Sequence, residues 1–250
     1  MKKKTVIITG GGRGIGEAIT RAFFENGYNV VIGSRNDSGL VNKLGNGAHF
    51  IATDIRSPGS IQKLVSDTVK ITGKIDVMIN NAGFSEWRSI ERIDEAFWDK
   101  MIDTNLKGTM FGCISACLHM ENGASIINIS SLAGKRGSAN NTVYCASKFG
   151  INGLTQALAK ELGPRGIRVN AVCPVYVKTE GVEEALSKTD SPAGDNDVAS
   201  YLETFANSQA ALKRLPLGSE IGKTCLFLAS DDASAITGQC INVDCGVLPQ

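Results

Sequence analysis

The chain has 250 residues, which suits one large α/β domain better than a small disulfide-stapled module or a fibre. Its 26 basic and 25 acidic side chains leave a formal net charge of +1, so bulk electrostatics offers no attraction to nucleic acid or to a membrane surface. No apolar run approaches the ~18 residues of a membrane span, and the lysines at 2–4 read as a solvated tail leading straight into TVIITG, without a signal-peptide pattern.

In chain order, KTVIIT (4–9) predicts the first strand, and TGGGRGIG opens a helix over 14–26. Glycines at that first βα crossing let backbone N–H groups approach a pyrophosphate, so Gly10, Arg13, Gly14, Ile15 and Gly16 are candidate dinucleotide ligands. Strands follow at 29–33 and 48–53, then a helix at 58–72 with Pro58 at its start. A strand at 76–80 precedes one long helix at 95–119, and a strand at 125–130 precedes a helix at 143–162 that ends near Pro164. After a strand at 167–172 the rhythm breaks. The segment 174–217 carries helix-forming pieces around a polar KTDSPAGDND core and predicts an active-site lid, partly disordered, before a helix at 219–229 and a strand at 239–243. Repeated βα alternation with near-continuous apolar strands predicts a doubly wound, Rossmann-like parallel sheet of about seven strands with helices on both faces, in a single domain spanning 1–250.

Seven cysteines with no CxxC pair, and two histidines that complete no ligand spacing, predict buried free thiols in a reducing cytosol and no metal site. Tyr144-Cys-Ala-Ser-Lys148 places a phenol and an ammonium one helical turn apart. Alone, that spacing describes a solvated surface, where a lysine stem packs on a ring, as well as a tuned acid.

TGGGRGIG, NNAG (80–83), TNLKG (104–108), NISS (128–131) and YCASK, followed by GQCINVDCG (238–246), together resemble the short-chain dehydrogenase/reductases, in order through almost the whole chain. The resemblance implies an NAD(P)-binding fold and hydride transfer between nicotinamide and a carbonyl or secondary alcohol. It implies Tyr144 as general acid/base, Lys148 as the group that lowers the phenol's pKa and binds the nicotinamide ribose, Ser131 as holder of the substrate oxygen, and Asn105 as support for a water relay to the lysine. Ser130 should face the other way along the strand. The three residues between Tyr144 and Lys148 match the short single-domain subgroup, favouring carbonyl–alcohol chemistry over C=C reduction. Two other readings stand beside this one: an NAD-dependent alcohol dehydrogenase of the same family, and a non-catalytic NAD(P)-sensing regulator.

At the end of the second strand, where an acid would hold the ribose of NAD, the chain has Ser34 and Arg35. With Arg13 they suit a phosphate dianion, so NADP(H) is favoured and NAD(H) remains possible, with Asp37 as the alternative ribose ligand. By family register, Asp54 and Ile55 flank the adenine and Asn81, Ala82 and Gly83 wall its ribose. Pro174, Val177 and Thr179 would meet the nicotinamide and phosphates, although Val175 and Cys245 replace family glycines and strain is expected at Val175. The expected substrate is a small molecule, walled by Phe84 and Trp87. Arg88, Lys135 and Arg136 either meet an anion or are solvated. Apolar positions Phe97, Met101, Ile102, Met110, Phe111 and Ile114 mark either a homotetramer or homodimer contact, as the resemblance implies, or the monomer core. A cytoplasmic setting is expected.

Overall fold

A computed structural model describes residues 3–249, so Lys2 of the predicted tail lies outside the described residues. Seven strands form one parallel sheet in the order β3-β2-β1-β4-β5-β6-β7. They are β1 (Thr5–Thr9), β2 (Asn29–Ser34), β3 (Ala48–Ala52), β4 (Val77–Asn80), β5 (Ser125–Ile129), β6 (Arg168–Pro174) and β7 (Cys240–Val243). Successive side chains of a strand point to opposite faces. Val6, Ile8, Val77, Ile79, Ile127 and Ile129 therefore pack on one side with Ile19, Phe23, Ile221 and Leu228. Ile7, Val31, Met78 and Ile126 pack on the other with Leu64, Cys113, Ala159 and Leu162. Both faces are dry, which is why these strands read as unbroken apolar runs rather than alternating ones.

The helices are α1 (Gly14–Glu25), α2 (Leu40–Leu44), α3 (Pro58–Thr72), α4 (Glu95–Ile102), α5 (Gly108–Cys117), α6 (Thr142–Leu162), α7 (Glu180–Leu186), α8 (Val198–Gln209) and α9 (Gly218–Ala229). α3 follows local rules closely: the Ser57 hydroxyl accepts from the Ser60 N–H, Pro58 fills the first position, and Gly73 ends the helix at φ 86°. One expectation needs correction. The single helix over 95–119 is α4 and α5 joined by a π-helical turn, Asp103–Lys107. The lid segment holds two helices, α7 and α8, each opened by a side-chain cap from Thr179 or Asp197.

The chain direction across the sheet reverses between β1 and β4, because β2 and β3 lie to one side of β1 and β5 to β7 beyond β4. Crevices for ligands form at the carboxyl ends of strands at such a switch point.

Candidate active site

The glycine turn after β1 lies in that crevice. Gly10 has φ 65° and Gly14 φ 55°, a region that costs other L-residues. A Cβ on Gly16 would sit 2.1 Å from the Gly10 carbonyl oxygen, so only glycine lets α1 approach the turn this closely. From β4, the Asn81 side chain donates to the carbonyls of Thr9 (2.9 Å) and Gly10 (3.2 Å), while the Thr9 hydroxyl accepts from the N–H groups of Asn81 and Ala82 at 3.0 Å each. The two strand ends are thereby locked together. The first-turn N–H groups of α1 lack intrahelical partners and carry the positive end of the helix dipole, which suits a pyrophosphate. Ile15 itself packs against the core, leaving its backbone to the crevice. The cradle fits a dinucleotide.

At the adenosine end, Arg13 and Arg35 are exposed, and the Arg35 charge reaches the Asp54 carboxyl. Asp54 is held down at about 2, chiefly by its hydrogen bonds from Arg56 (Nη2 to Oδ2, 2.6 Å). Its carboxylate is thus already engaged by Arg56. The Ser34 hydroxyl donates to the Asn36 carbonyl at 2.8 Å, closing the turn after β2. Asp37, the alternative ribose ligand, accepts from the Gly39 N–H at 2.8 Å. Ser38, which sequence reasoning passed over, comes so close to Gly12 that a Cβ there would lie 2.6 Å from its hydroxyl oxygen. Ile55 packs on Gly108, whose missing side chain makes room for it.

The proton-handling residues converge at the ends of β5 and β6. Tyr144 and Lys148 share a face of α6, with the lysine nitrogen 5.6 Å from the ring centroid. Lys148 is 6% exposed and donates to the Ile129 carbonyl at 2.9 Å. The Ser131 hydroxyl bonds the Tyr144 phenol and also caps the turn after β5, accepting from the Ala133 N–H at 3.1 Å. Ser130 does face away, donating to the Lys148 carbonyl at 3.3 Å. Gly134 completes the fit, since a Cβ there would lie 2.7 Å from that same carbonyl oxygen.

Burial dominates the electrostatics of the pair. Burial pushes the Tyr144 phenol up to about 12, against a smaller downward pull from Ser131, and pushes Lys148 down to about 8. For both groups burial is the largest influence, since desolvation disfavours the charged form of each. Asn105 sits on the π-helical turn. It is buried, its Oδ1 accepts from the Phe84 N–H at 3.0 Å, and its Nδ2 donates to the Phe84 carbonyl (2.9 Å) and Ser147 hydroxyl (3.3 Å). What the π-helical turn does is aim Asn105 at the loop after β4, and such turns recur at functional sites.

Beyond β6, Pro174 pairs with Val243, Val177 is buried, and the Thr179 methyl group lies next to Gly14. Val175 does not take a positive φ and packs beside Cys173, so the strain expected of it does not arise. Cys245 does adopt φ 56° in a glycine's place. Trp87 is not an open wall: it is buried with Leu186, Ala193 and Leu202 under α7 and α8. Of the three candidate cations, Arg88 pairs with Glu86 (2.8 Å) and lies 3.9 Å over the Phe97 ring. Lys135 donates to the Cys240 carbonyl at 2.6 Å. Arg136 is exposed and its charge reaches the Tyr176 phenol. Phe97 and Met101 belong to the core beneath Tyr144.

Sequence reasoning missed the aromatic wall. Tyr176 stacks edge-on to Phe205 at 4.9 Å between centroids and meets the Tyr201 hydroxyl at 3.4 Å, close enough to Tyr144 to feel its charge. The i, i+4 spacing of Tyr201 and Phe205 on a helix was the available signal.

Residues 10–248 match a family described as "Enoyl-(Acyl carrier protein) reductase". The chain is 36% identical to the 3-oxoacyl-(acyl-carrier-protein) reductase FabG of Chlamydia trachomatis, over 98% of this chain and 97% of that one. It is equally similar, at 36%, to a short-chain dehydrogenase/reductase of Armillaria gallica, over 98% and 96%. Among solved structures, the ligand-free aldohexose dehydrogenase of Thermoplasma acidophilum superposes with a TM-score of 0.88 at 30% identity, covering 100% of this chain and 98% of its own. A Brucella melitensis glucose/ribitol dehydrogenase-type short-chain enzyme gives 0.90 at 30%, covering 99% and 97%.

Proposed function

Because the chain belongs to the short-chain dehydrogenase/reductase family, whose members act on CH–OH and C=O groups, we propose that it is an NADPH-dependent reductase of ketones or aldehydes with Tyr144 as its general acid. Bound NADP(H) supplies the hydride. The observation that carries the reading is the convergence of Tyr144, Lys148 and Ser131 beside the glycine cradle.

A phenol held at about 12 keeps its proton throughout the neutral range, so it is ready to donate to a developing alkoxide and poor at removing a proton from an alcohol. Ser131 hydrogen-bonds the phenol and can share the substrate oxygen with it, fixing the carbonyl where the proton is delivered. Lys148, charged below about 8, offers donors toward the ribose and a positive field under the alkoxide. Helices α7 and α8 act as a lid, tied to the loop after β4 through Asp190, which accepts from the Ser89 N–H at 2.8 Å and pairs with Arg92. The second carboxylate-to-cation question, NADP against NAD, turns on Arg13 and Arg35 being exposed at the adenosine end while Asp37 is turned into its own loop. A 2′-phosphate suits that pair of cations better than a bare ribose does.

Retention of both Tyr144 and Lys148 in one enclosed site argues against a purely redox-sensing regulator. The test is NADPH absorbance with a panel of ketones, aldehydes and secondary alcohols, read with Arg35→Asp. The variant should raise the NADPH KM by about tenfold or more, the scale of a lost charge-assisted phosphate contact, and leave the NADH KM nearly unchanged. Equal shifts for both coenzymes would sink the NADP assignment.

The subunit arrangement proposed is a homotetramer or homodimer built on α4, α5 and α6. Trp98 (45% exposed), Leu118 (73%) and Phe149 (48%) lie on or next to these helices, with half-buried Met110, Phe111 and Ile114, and large apolar side chains left open in this way suit a subunit contact. Sedimentation should give a dimer or tetramer, and Leu118→Glu with Phe149→Glu should shift it toward monomer; a monomeric parent protein would refute the arrangement.

A further inference from the structure

Two thiols meet between β6 and β7. In the parallel register Ala171 faces Cys240 and Cys173 faces Asn242. Alternate residues share a face of the sheet, so Cys173 lies diagonal to Cys240 on the same side. Both belong to one apolar cluster with Leu132, Ala210 and Val247, and each thiol influences the titration of the other. Neither is in a disulfide.

The pair is asymmetric. Cys173 is fully buried. Cys240, half-buried, lines a surface cavity of about 360 Å³ with Lys135, Asn242, Asp244 and Leu248. The neighbouring Cys173 thiol and the Lys135 charge hold the Cys240 thiol below its ordinary value, while the Cys173 thiol is driven up. A thiolate with solvent access beside a cation is the reactive member of a thiol pair, and the buried thiol is placed to resolve it.

We propose that Cys173 and Cys240 form a peroxide-sensitive dithiol whose closure to a disulfide disables the adjoining proton-transfer site. The Cys240 thiolate attacks one oxygen of hydrogen peroxide, the O–O bond breaks, and after protonation one water leaves, giving a Cys240 sulfenic acid. The Cys173 sulfur then attacks the Cys240 sulfur, its proton leaves with the hydroxyl as a second water, and the S–S bond forms. Two thiols have lost two electrons, and one peroxide has become two waters. An added dithiol reverses the change by exchange.

The coupling to the site is local. Cys173 immediately precedes Pro174 at the end of β6, and its sulfur acts electrostatically on both Tyr144 and Lys148. It also sits 3.9 Å from the Asn152 side-chain oxygen, and Asn152 Nδ2 holds the Gly134 carbonyl at 2.8 Å in the turn that carries Ser131. A disulfide needs Cα atoms within about 7 Å, and diagonal positions on adjacent parallel strands start near or beyond that limit. Closing the bond therefore draws the end of β6 toward β7 and displaces the Pro174–Val177 loop. The inhibitory half of the proposal rests on the reductase reading; the disulfide half does not.

The experiment treats the full-length protein with hydrogen peroxide, alkylates it, and maps cysteines by fragmentation mass spectrometry, since Cys225 and Cys245 share a tryptic peptide with Cys240. The expected result is a Cys173–Cys240 bridge lighter by two hydrogens, with turnover and NADPH fluorescence binding weakened by about tenfold or more, a fraction of what acid–base catalysis contributes. Dithiothreitol should restore both. Cys240→Ser should keep untreated turnover and resist the reversible loss, and Cys173→Ala should accumulate a Cys240 sulfenic acid trappable by dimedone. Peroxide products confined to Cys240 or other cysteines, a bridged protein that works normally, or equal inactivation of Cys240→Ser would each overturn the proposal. If the reduced protein turns over no carbonyl, the reductase reading fails, while the bridge and its effect on NADPH binding still decide the dithiol.

Discussion

Tyr144→Phe is expected to lower kcat/KM for carbonyl reduction by about 10²–10⁴, the usual contribution of a positioned general acid, while NADPH fluorescence titration stays unchanged. The substitution is narrow. The ring of Tyr144 packs with Phe97, Met101 and Val143, and phenylalanine retains those contacts. Only the hydroxyl and its bond to Ser131 are lost. The pH profile supplies a second, signed expectation. The phenol at about 12 remains a donor at every ordinary pH, so it does not limit reduction on the alkaline side. Lys148 does, because it loses its charge as pH rises through about 8. Reduction by the parent enzyme should be level below that point and decline above it. Oxidation of an alcohol needs the deprotonated phenol and should climb with pH instead. Reduction that survives in Tyr144→Phe would remove the phenol from the mechanism.

Seven strands were legible because a parallel sheet covered on both faces writes each strand as a short apolar run, as in TVIIT and SIINI. α2 was not, since five residues between Gly39 and Gly45 are too few to show a period. The break at Asp103–Lys107 was hidden for a different reason. Every residue there is compatible with a helix, and what widens the turn is the bond pair between Asn105 and Phe84, a contact across 21 positions. Tyr144, Lys148 and Ser131, which the structure brings together, were legible as candidates by motif order. Their electrostatics was not, because burial of the phenol and ammonium depends on β5, β6 and α6 meeting, which no local spacing encodes. The same holds for Trp87: its size suggests a substrate wall, but Leu186 and Leu202, about a hundred positions on, close over it.

Lys148→Met is expected to stop turnover and yet make the protein more stable. The ammonium is buried, and its fall from 10.5 to about 8 measures the penalty of keeping it charged there. At about 1.4 kcal/mol per pKa unit, that penalty is on the order of 3 kcal/mol at neutral pH. The folded-state value lies below the unfolded one, so between about 8 and 10.5 the unfolded chain binds the extra proton and stability rises with pH; below about 8 the full penalty applies. Methionine keeps most of the stem's volume and removes the charge. It leaves the Ile129 carbonyl without its 2.9 Å donor, a loss of about 1–3 kcal/mol. The difference leaves a gain of roughly 1 kcal/mol, or a melting temperature about 2–4 °C higher for a chain of this size. In the variant the rise of stability between pH 8 and 10.5 should vanish, leaving the opposite contribution of Tyr144, whose raised value lowers stability as pH climbs from 10 toward about 12. A buried charge that weakens the fold is retained for what it does to a reacting group rather than for packing. Thermal unfolding across pH 6–11 separates the alternatives: a variant that melts earlier than its parent at neutral pH would make Lys148 a structural tie to β5, and its effect on turnover would then report damage to the fold.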